Sequence, residues 1–376
     1  MGTYPSYAFT PNDDAVVIWA AGQIYHVPLK VNALGEKVAG GEPQPIRFTA
    51  HIEKRLAETI TAEPHIAALE TAETQRVHAF TELRVDTTGE RAVFQGSGAT
   101  YVQYVGKDAP RAERVPALYP DVPYYSPAFV VNAEELVIHA RWSDTNFSTI
   151  EIANLTSGEA FELTGLPLGR YYSPILCECL GAGRQLAFVK TGGDYLTGDI
   201  VATAQPGLYL GSITLPPSGQ NDTVIEVKNV HYVKTEIDTG DLQKTQIRFL
   251  ERNTKLLVNA PKRSFVVDLA AGTDEYGKYK HETLAEGRMS TELVAFPEIS
   301  KSVRAKSLAF IDFFHVYYVP TAAADQPVFS KPGNATKGLT RLSVDGGHDI
   351  TWSRDGKKLF WFLGEHCPLR HEGSGC

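Results

Sequence analysis

The sequence predicts an all-β fold: a β-propeller of four-stranded antiparallel blades, with seven blades expected and six as the alternative. Two observations carry this. The stretch Tyr125 to Thr164, YSPAFVVNAEELVIHARWSDTNFSTIEIANLTSGEAFELT, holds one complete four-stranded unit. A portable part of that unit then recurs along the chain as an inner strand, a polar turn and a strongly apolar second strand.

The four-stranded unit is built from short β-rich runs between turn residues. Ala128 to Val131 is the first strand, and Asn132 to Glu134 turns the chain into Leu136 to Arg141. A polar loop, Ser143 to Asn146, leads to the β-branched strand Thr149 to Ile152. Asn154 to Gly158 turns it into Ala160 to Leu163. One such sheet cannot bury both of its faces alone, so it needs neighbours of its own kind.

The recurring fragments are Tyr7 to Ala21, Leu83 to Ser97, Pro127 to Arg141, Pro174 to Lys190, Ile247 to Pro261, Leu293 to Asp312 and Asp349 to Leu363. Most second strands start about 44–52 residues apart, the length of a propeller blade, with two wider gaps of roughly 70 and 76. Those gaps predict insertions at Ile52 to Val77 and Leu196 to Lys244. A β-sandwich would supply similar short strands and is the alternative architecture.

In chain order, residues 5–50 make the first expected blade. Residues 51–78 mix Ala, Glu and Ile without firm period and suit a crossing hairpin or a short helix at Ile66 to Thr74. The Gly-rich excursion Lys190 to Leu210 has the character of a face loop, and Ala322 to Lys337 is a second loop. The propeller is expected to end near residue 365, with 366–376 an irregular tail. The last unit shows only two strands, so its blade looks incomplete, which leaves an edge open to self-association.

Composition excludes several classes. The chain has 376 residues, 43% hydrophobic and 21% charged, with net charge −8. It is globular, and clustered Lys and Arg for nucleic-acid phosphates are missing. No apolar run approaches the ~20 residues of a membrane-spanning helix. The opening MGTYPSYAFTPNDD lacks the basic and apolar regions of a signal peptide, so a cytoplasmic protein is expected. Met1-Gly2 with Ser6 resembles the start of a myristoylation signal, although such a start is common. Cys177 and Cys179 lie two apart on one strand, a poor disulfide geometry, and with Cys367 and Cys376 they are expected as free thiols. Sequons begin at Asn146, Asn154, Asn221 and Asn334.

The repeats resemble those of TolB-like and WD40-like propellers, in which a Ser/Thr-Pro-Asp-Gly turn precedes an Ile-Ala-Phe strand. The matching residues are Thr10-Pro11-Asn12-Asp13 before Val16 to Trp19, Asp86-Thr87-Thr88-Gly89 before Ala92-Val93-Phe94, Leu186-Ala187-Phe188, and Ser353-Arg354-Asp355-Gly356 before Leu359-Phe360-Trp361. Gly22-Gln23-Ile24-Tyr25 with Pro45 to Leu56 resembles the opening propeller of amidohydrolase-related proteins. That resemblance implies a propeller followed by a metal-dependent hydrolase barrel. No His-x-His pair occurs in this chain, so no hydrolase residue is carried onto any position here.

No His-Glu-x-x-His, Gly-x-Ser-x-Gly, Walker or Rossmann motif occurs either. Neither catalytic residues nor a cofactor or metal set is therefore assigned. Ser353-Arg354-Asp355-Gly356 superficially resembles a sialidase Asp-box, but it is expected to be the repeat's own β-turn. Topology still defines a candidate binding face, where loops entering each inner strand meet loops leaving the second. On it the sequence places Tyr125, Arg141, Trp142, Asp144, Arg170, Tyr172, Asp194, Tyr195 and His348, with Tyr124 and Tyr171 beside them. Aromatic rings next to polar donors suit sugars or peptide segments, and they also serve as packing plugs between blades. The first functional expectation is a non-catalytic binding module related to the propeller half of an amidohydrolase. A stand-alone lectin for terminal sugars is the alternative, and a protein-interaction scaffold a third.

Overall fold

The computed structural model describes residues 6–54, 71–73, 76–106, 108–178, 183–191, 205–215, 223–235, 237, 239–299, 303–320, 327–328, 338–364 and 366–371. Asp194, Tyr195, Cys179, Cys376, the sequons at Asn221 and Asn334 and most of the expected helix at Ile66 to Thr74 lie outside them. Among the described residues no helix is long and apolar enough to cross a membrane.

All seven recurring fragments are antiparallel hairpins. They pair Ser6–Phe9 with Ala15–Ala20, Phe80–Val85 with Arg91–Gly96, Tyr124–Phe129 with Leu136–Ser143, Arg170–Glu178 with Arg184–Thr191, Gln246–Leu250 with Lys255–Ala260, Glu292–Ile299 with Val303–Asp312, and His348–Trp352 with Lys358–Phe362.

The chain falls into two compact units, Met1–Glu73 and Thr74–Cys376. In the first, Ser6–Phe9, Ala15–Ala20, Gln23–Val31 and Lys37–Ala39 pair in sequence order, and Gln44–Pro45 also pairs with Gln23–Val31.

The second unit is a β-propeller. Its described residues form six sheets, each opening on an inner strand named above and running outward in chain order. Six core clusters fill the interfaces between successive sheets. One joins Val93 to Phe129 and Val137, and the next joins Ile138 and Ile152 to Leu186 and Phe188. The last joins Phe360 and Phe362 of the final sheet to Leu83 and Phe94 of the first, closing the ring. Strand period explains the arrangement, because successive side chains point to opposite faces. Val137 packs toward one neighbouring sheet while Leu136 and Ile138 pack toward the other. Leu257 likewise faces one interface and Leu256 and Val258 the opposite one. A blade therefore needs near-continuous apolar strands rather than alternating ones, which is what the second strands carry.

The expected insertion at Leu196 to Lys244 and the expected loop at Ala322 to Lys337 each add a strand. Val224–Glu226 pairs in parallel with Ala160–Thr164 of the preceding sheet, and Pro327–Val328 does the same with His281–Gly287. The last sheet gains a third strand, Leu369–His371, beyond the two that the sequence shows.

The repeat turns hold themselves. At Ser353 to Lys358, the Ser353 hydroxyl donates to Asp355 at 2.7 Å, the Lys358 amide donates to Ser353 Oγ at 3.0 Å, and Gly356 takes φ +72°. The Asp86 carboxylate accepts the Glu90 and Arg91 amides at 2.9 and 3.1 Å. The Asp-box-like residues are thus a β-turn, as expected.

Candidate functional site

Four inner strands share one irregularity. The pairing register shifts after Thr81, Tyr125, Tyr172 and His348, and the next residue in each case is left-handed. Glu82, Ser126, Ser173 and Asp349 have φ of 59°, 50°, 47° and 54°. These are β-bulges, which re-aim the side chains beside them. Three sequence-predicted site residues, Tyr125, Tyr172 and His348, therefore occupy equivalent positions in three blades. Tyr-Tyr-Ser-Pro at 124–127 and again at 171–174 was the sequence signal for two of them.

The structure brings Tyr125, Trp142, Arg170 and Tyr172 together around one open pocket. The Tyr125 and Tyr172 rings, from adjacent sheets, lie 5.6 Å apart and tilted. The Arg170 guanidinium sits 4.4 Å from the centre of the Trp142 ring, in cation–π contact. Burial, the largest effect, raises the Tyr172 phenol against a hydrogen bond from Arg170. Tyr125 is raised mainly by burial as well, and its hydroxyl pairs with Ser148. The Ser148 amide donates to the Gly169 carbonyl at 3.1 Å, which fixes Arg170 beside the neighbouring sheet. Trp142 Nε1 donates to Asp144 Oδ1 at 2.8 Å, so Asp144 orients the indole. Ser148 was missed in the sequence, where a lone Ser on a strand carries no signal.

Arg141 belongs to a structural ion cluster. Its Nε lies 2.7 Å from Glu151 and its Nη2 contacts Glu162, while the Tyr119 ring covers the guanidinium at 4.3 Å. Glu151 and Glu162 stand directly opposite each other on paired strands, which is repulsive without a cation between them. Tyr124 and Tyr171 are interior, 1% and 2% exposed, and the Tyr124 hydroxyl donates to Glu151 at 2.9 Å.

His348 is held apart from the aromatic pocket, its Nδ1 2.8 Å from Asp349 Oδ2. Asp349 joins a buried cluster absent from the sequence expectations. Glu292 accepts the Asp349 and Ile350 amides, both at 3.0 Å, and Lys244 Nζ at 3.3 Å. Glu82 accepts the Ser126 amide at 2.6 Å. Burial raises both Glu82 and Glu292. Burial also opposes ionisation of Asp349, but the His348 hydrogen bond, the Glu82 amide and Lys244 outweigh it and hold that carboxyl low. Among the described residues no group of three His, Cys, Asp or Glu side chains is placed to hold a metal.

No family model matches the sequence, and no curated protein matches it. Solved structures do. One similar chain is YCF48 from Cyanidioschyzon merolae, 8% identical, covering 99% of this chain and 96% of that one at TM-score 0.36. A putative TolB from Agrobacterium tumefaciens is 11% identical over 74% of this chain and 79% of that one, TM-score 0.33. The Cps50 (Swd1) β-propeller domain of Myceliophteria thermophila is 13% identical over 81% and 86%, TM-score 0.40. At these levels they say nothing about what this chain binds.

Proposed function

We propose that this chain is a propeller binding module whose ligand, the ring of a sugar, sits in the pocket of Tyr125, Trp142, Arg170 and Tyr172. The observation that carries this reading is the meeting of three aromatic rings and one guanidinium, drawn from two adjacent sheets, at an open surface. Apolar ring faces accept the C–H faces of a saccharide, and a few fixed polar groups orient its hydroxyls. The Arg170 guanidinium, which already hydrogen-bonds Tyr172, is the charged group of the pocket.

A glycan-array screen tests this, followed by titration of the best glycan. Saturable binding by the wild type, lost in both Trp142→Ala and Tyr172→Ala while the fold persists, supports the reading. A wild type that binds no glycan overturns it. Ancestry shared with the propeller half of amidohydrolases is part of the same proposal and rests on Gly22 to Tyr25 and Pro45 to Leu56. Its check is whether the gene joins this segment to a reading frame encoding a His-x-His barrel.

A further inference from the structure

The six inner strands of the second unit surround a central cavity of about 110 Å³, whose lining residues are not those of the aromatic pocket. Three arginines, Arg84, Arg248 and Arg354, line it. Arg84 lies among Glu82, Asp349 and Glu292, whose charges oppose its own. Arg248 feels the opposing charge of Asp355 and Arg354 that of Glu134, but neither arginine forms an ion pair among the described residues. The Arg248 guanidinium donates to the Arg354 main-chain carbonyl and packs 5.4 Å from the Phe296 ring centre. Burial first, and then the neighbouring Arg354 charge, lower its pKa to about 9.

The carboxylates nearby are already committed. Asp86 holds the Glu90 and Arg91 amides, with Arg91 Nε at 3.3 Å. Glu134 holds the Thr87 amide at 2.8 Å, with Arg91 Nη2 at 3.6 Å. Asp355 accepts the Ser353 hydroxyl and stands 3.3 Å from Lys357 Nζ. Two guanidinium groups thus face one cavity with no ion pair of their own among the described residues, and the carboxylates whose charges reach them are already engaged by other donors. Confining like charges away from water is costly unless an anion joins them. A cavity of this size has room for one small oxyanion, and guanidinium forks match the geometry of carboxylate and phosphate oxygens.

We propose that the central cavity is a binding site for a small oxyanion, a phosphate or carboxylate group, held between Arg248 and Arg354. The test is thermal unfolding with inorganic phosphate or with malonate, at ionic strength held constant with chloride. One of the two oxyanions is expected to raise Tm saturably, and which one does so tells phosphate from carboxylate. Arg354→Gln is expected to weaken that response at least tenfold and, without oxyanion, to unfold no lower than the wild type, because a repulsive charge is gone. Arg248→Gln is expected to behave likewise. Lys280→Gln, an exposed site, keeps the full response. Should Arg248→Gln fail to fold, Arg354→Gln decides alone, since its side chain makes no hydrogen bond among the described residues. Oxyanion effects no larger than those of chloride, or effects retained in Arg354→Gln, overturn the proposal.

Discussion

The Glu82 carboxylate of one sheet accepts both the amide of Ser126 in the next sheet, at 2.6 Å, and its hydroxyl, at 3.0 Å. Ser126 is the left-handed residue of its bulge, so a neighbouring blade satisfies the groups that the bulge takes out of pairing. Glu292 does the same for Asp349 and Ile350, and Asp349 in turn accepts the Glu82 amide. On the side of the repeat turns, the Asp355 amide donates to the Thr87 carbonyl and the Thr87 amide to Glu134. The closing contact between last and first sheets is therefore polar at both ends and apolar between them.

Glu82→Ala removes two hydrogen bonds to a charged acceptor and strands the Ser126 amide. The expected loss is roughly 2–4 kcal/mol of stability. Glu82→Gln keeps one carbonyl acceptor and is expected to cost about half as much. Urea denaturation of the two variants checks the order, and equal losses would deny the carboxylate this role.

Arg141 is expected to matter for folding and not for ligand binding. Arg141→Gln leaves Glu151 and Glu162 facing each other without their cation, at a cost of about 3–5 kcal/mol. Unfolding midpoints and glycan titration on the same variant separate the two effects. A large drop in affinity at unchanged stability would return Arg141 to the binding face.

His139 predicts how stability depends on pH. The imidazole is fully buried, hydrogen-bonded through Nδ1 to Thr100 at 2.8 Å, with Nε2 unpartnered among the described residues. Burial depresses its pKa from 6.5 to about 3. Between those values the unfolded chain binds a proton that the folded chain refuses. Stability therefore falls as pH drops below about 6.5, by up to ~1.4 kcal/mol per pH unit, until about pH 3. Denaturation at pH 7 and pH 5 should show a larger loss for the wild type than for His139→Gln. Parallel losses would rule this out.

Glycines with similar backbones should respond differently. A Cβ on Gly356, φ +72°, would lie 2.4 Å from the Phe296 ring, while one on Gly98, φ +75°, meets nothing within 4 Å. Gly98→Ala carries only the backbone cost of about 1 kcal/mol, whereas Gly356→Ala adds the clash, for roughly 2–4 kcal/mol in all. Melting temperatures of the pair measure the difference.

The hairpins were legible because their signals are local. Alternating or continuous apolar runs and turn residues such as Asp355-Gly356 act over a few positions, and all seven hairpins follow from them. The aromatic candidates Tyr125, Trp142 and Tyr172 were legible for the same reason. Arg141 resembled them only because it stands next to Trp142. Its partners Glu151 and Glu162 lie on following strands of its own sheet, and only register puts them in reach.

What the sequence determined by itself was the repeat: strand, turn, apolar strand, and the need for each sheet to bury both faces against others. What the tertiary structure decided was everything that depends on which sheets meet. It closed Phe360 and Phe362 onto Leu83 and Phe94, and placed Glu82 beneath Ser126. It also lent strands such as Val224–Glu226 to earlier sheets, and it left Arg248 and Arg354 facing one cavity. The physical reason is range. Strand and turn preferences are set by neighbours in the chain, whereas blade contacts join residues from tens of positions apart, as Ile138 and Leu186, to hundreds, as Leu83 and Phe360, whose pairing is fixed only when the ring has formed.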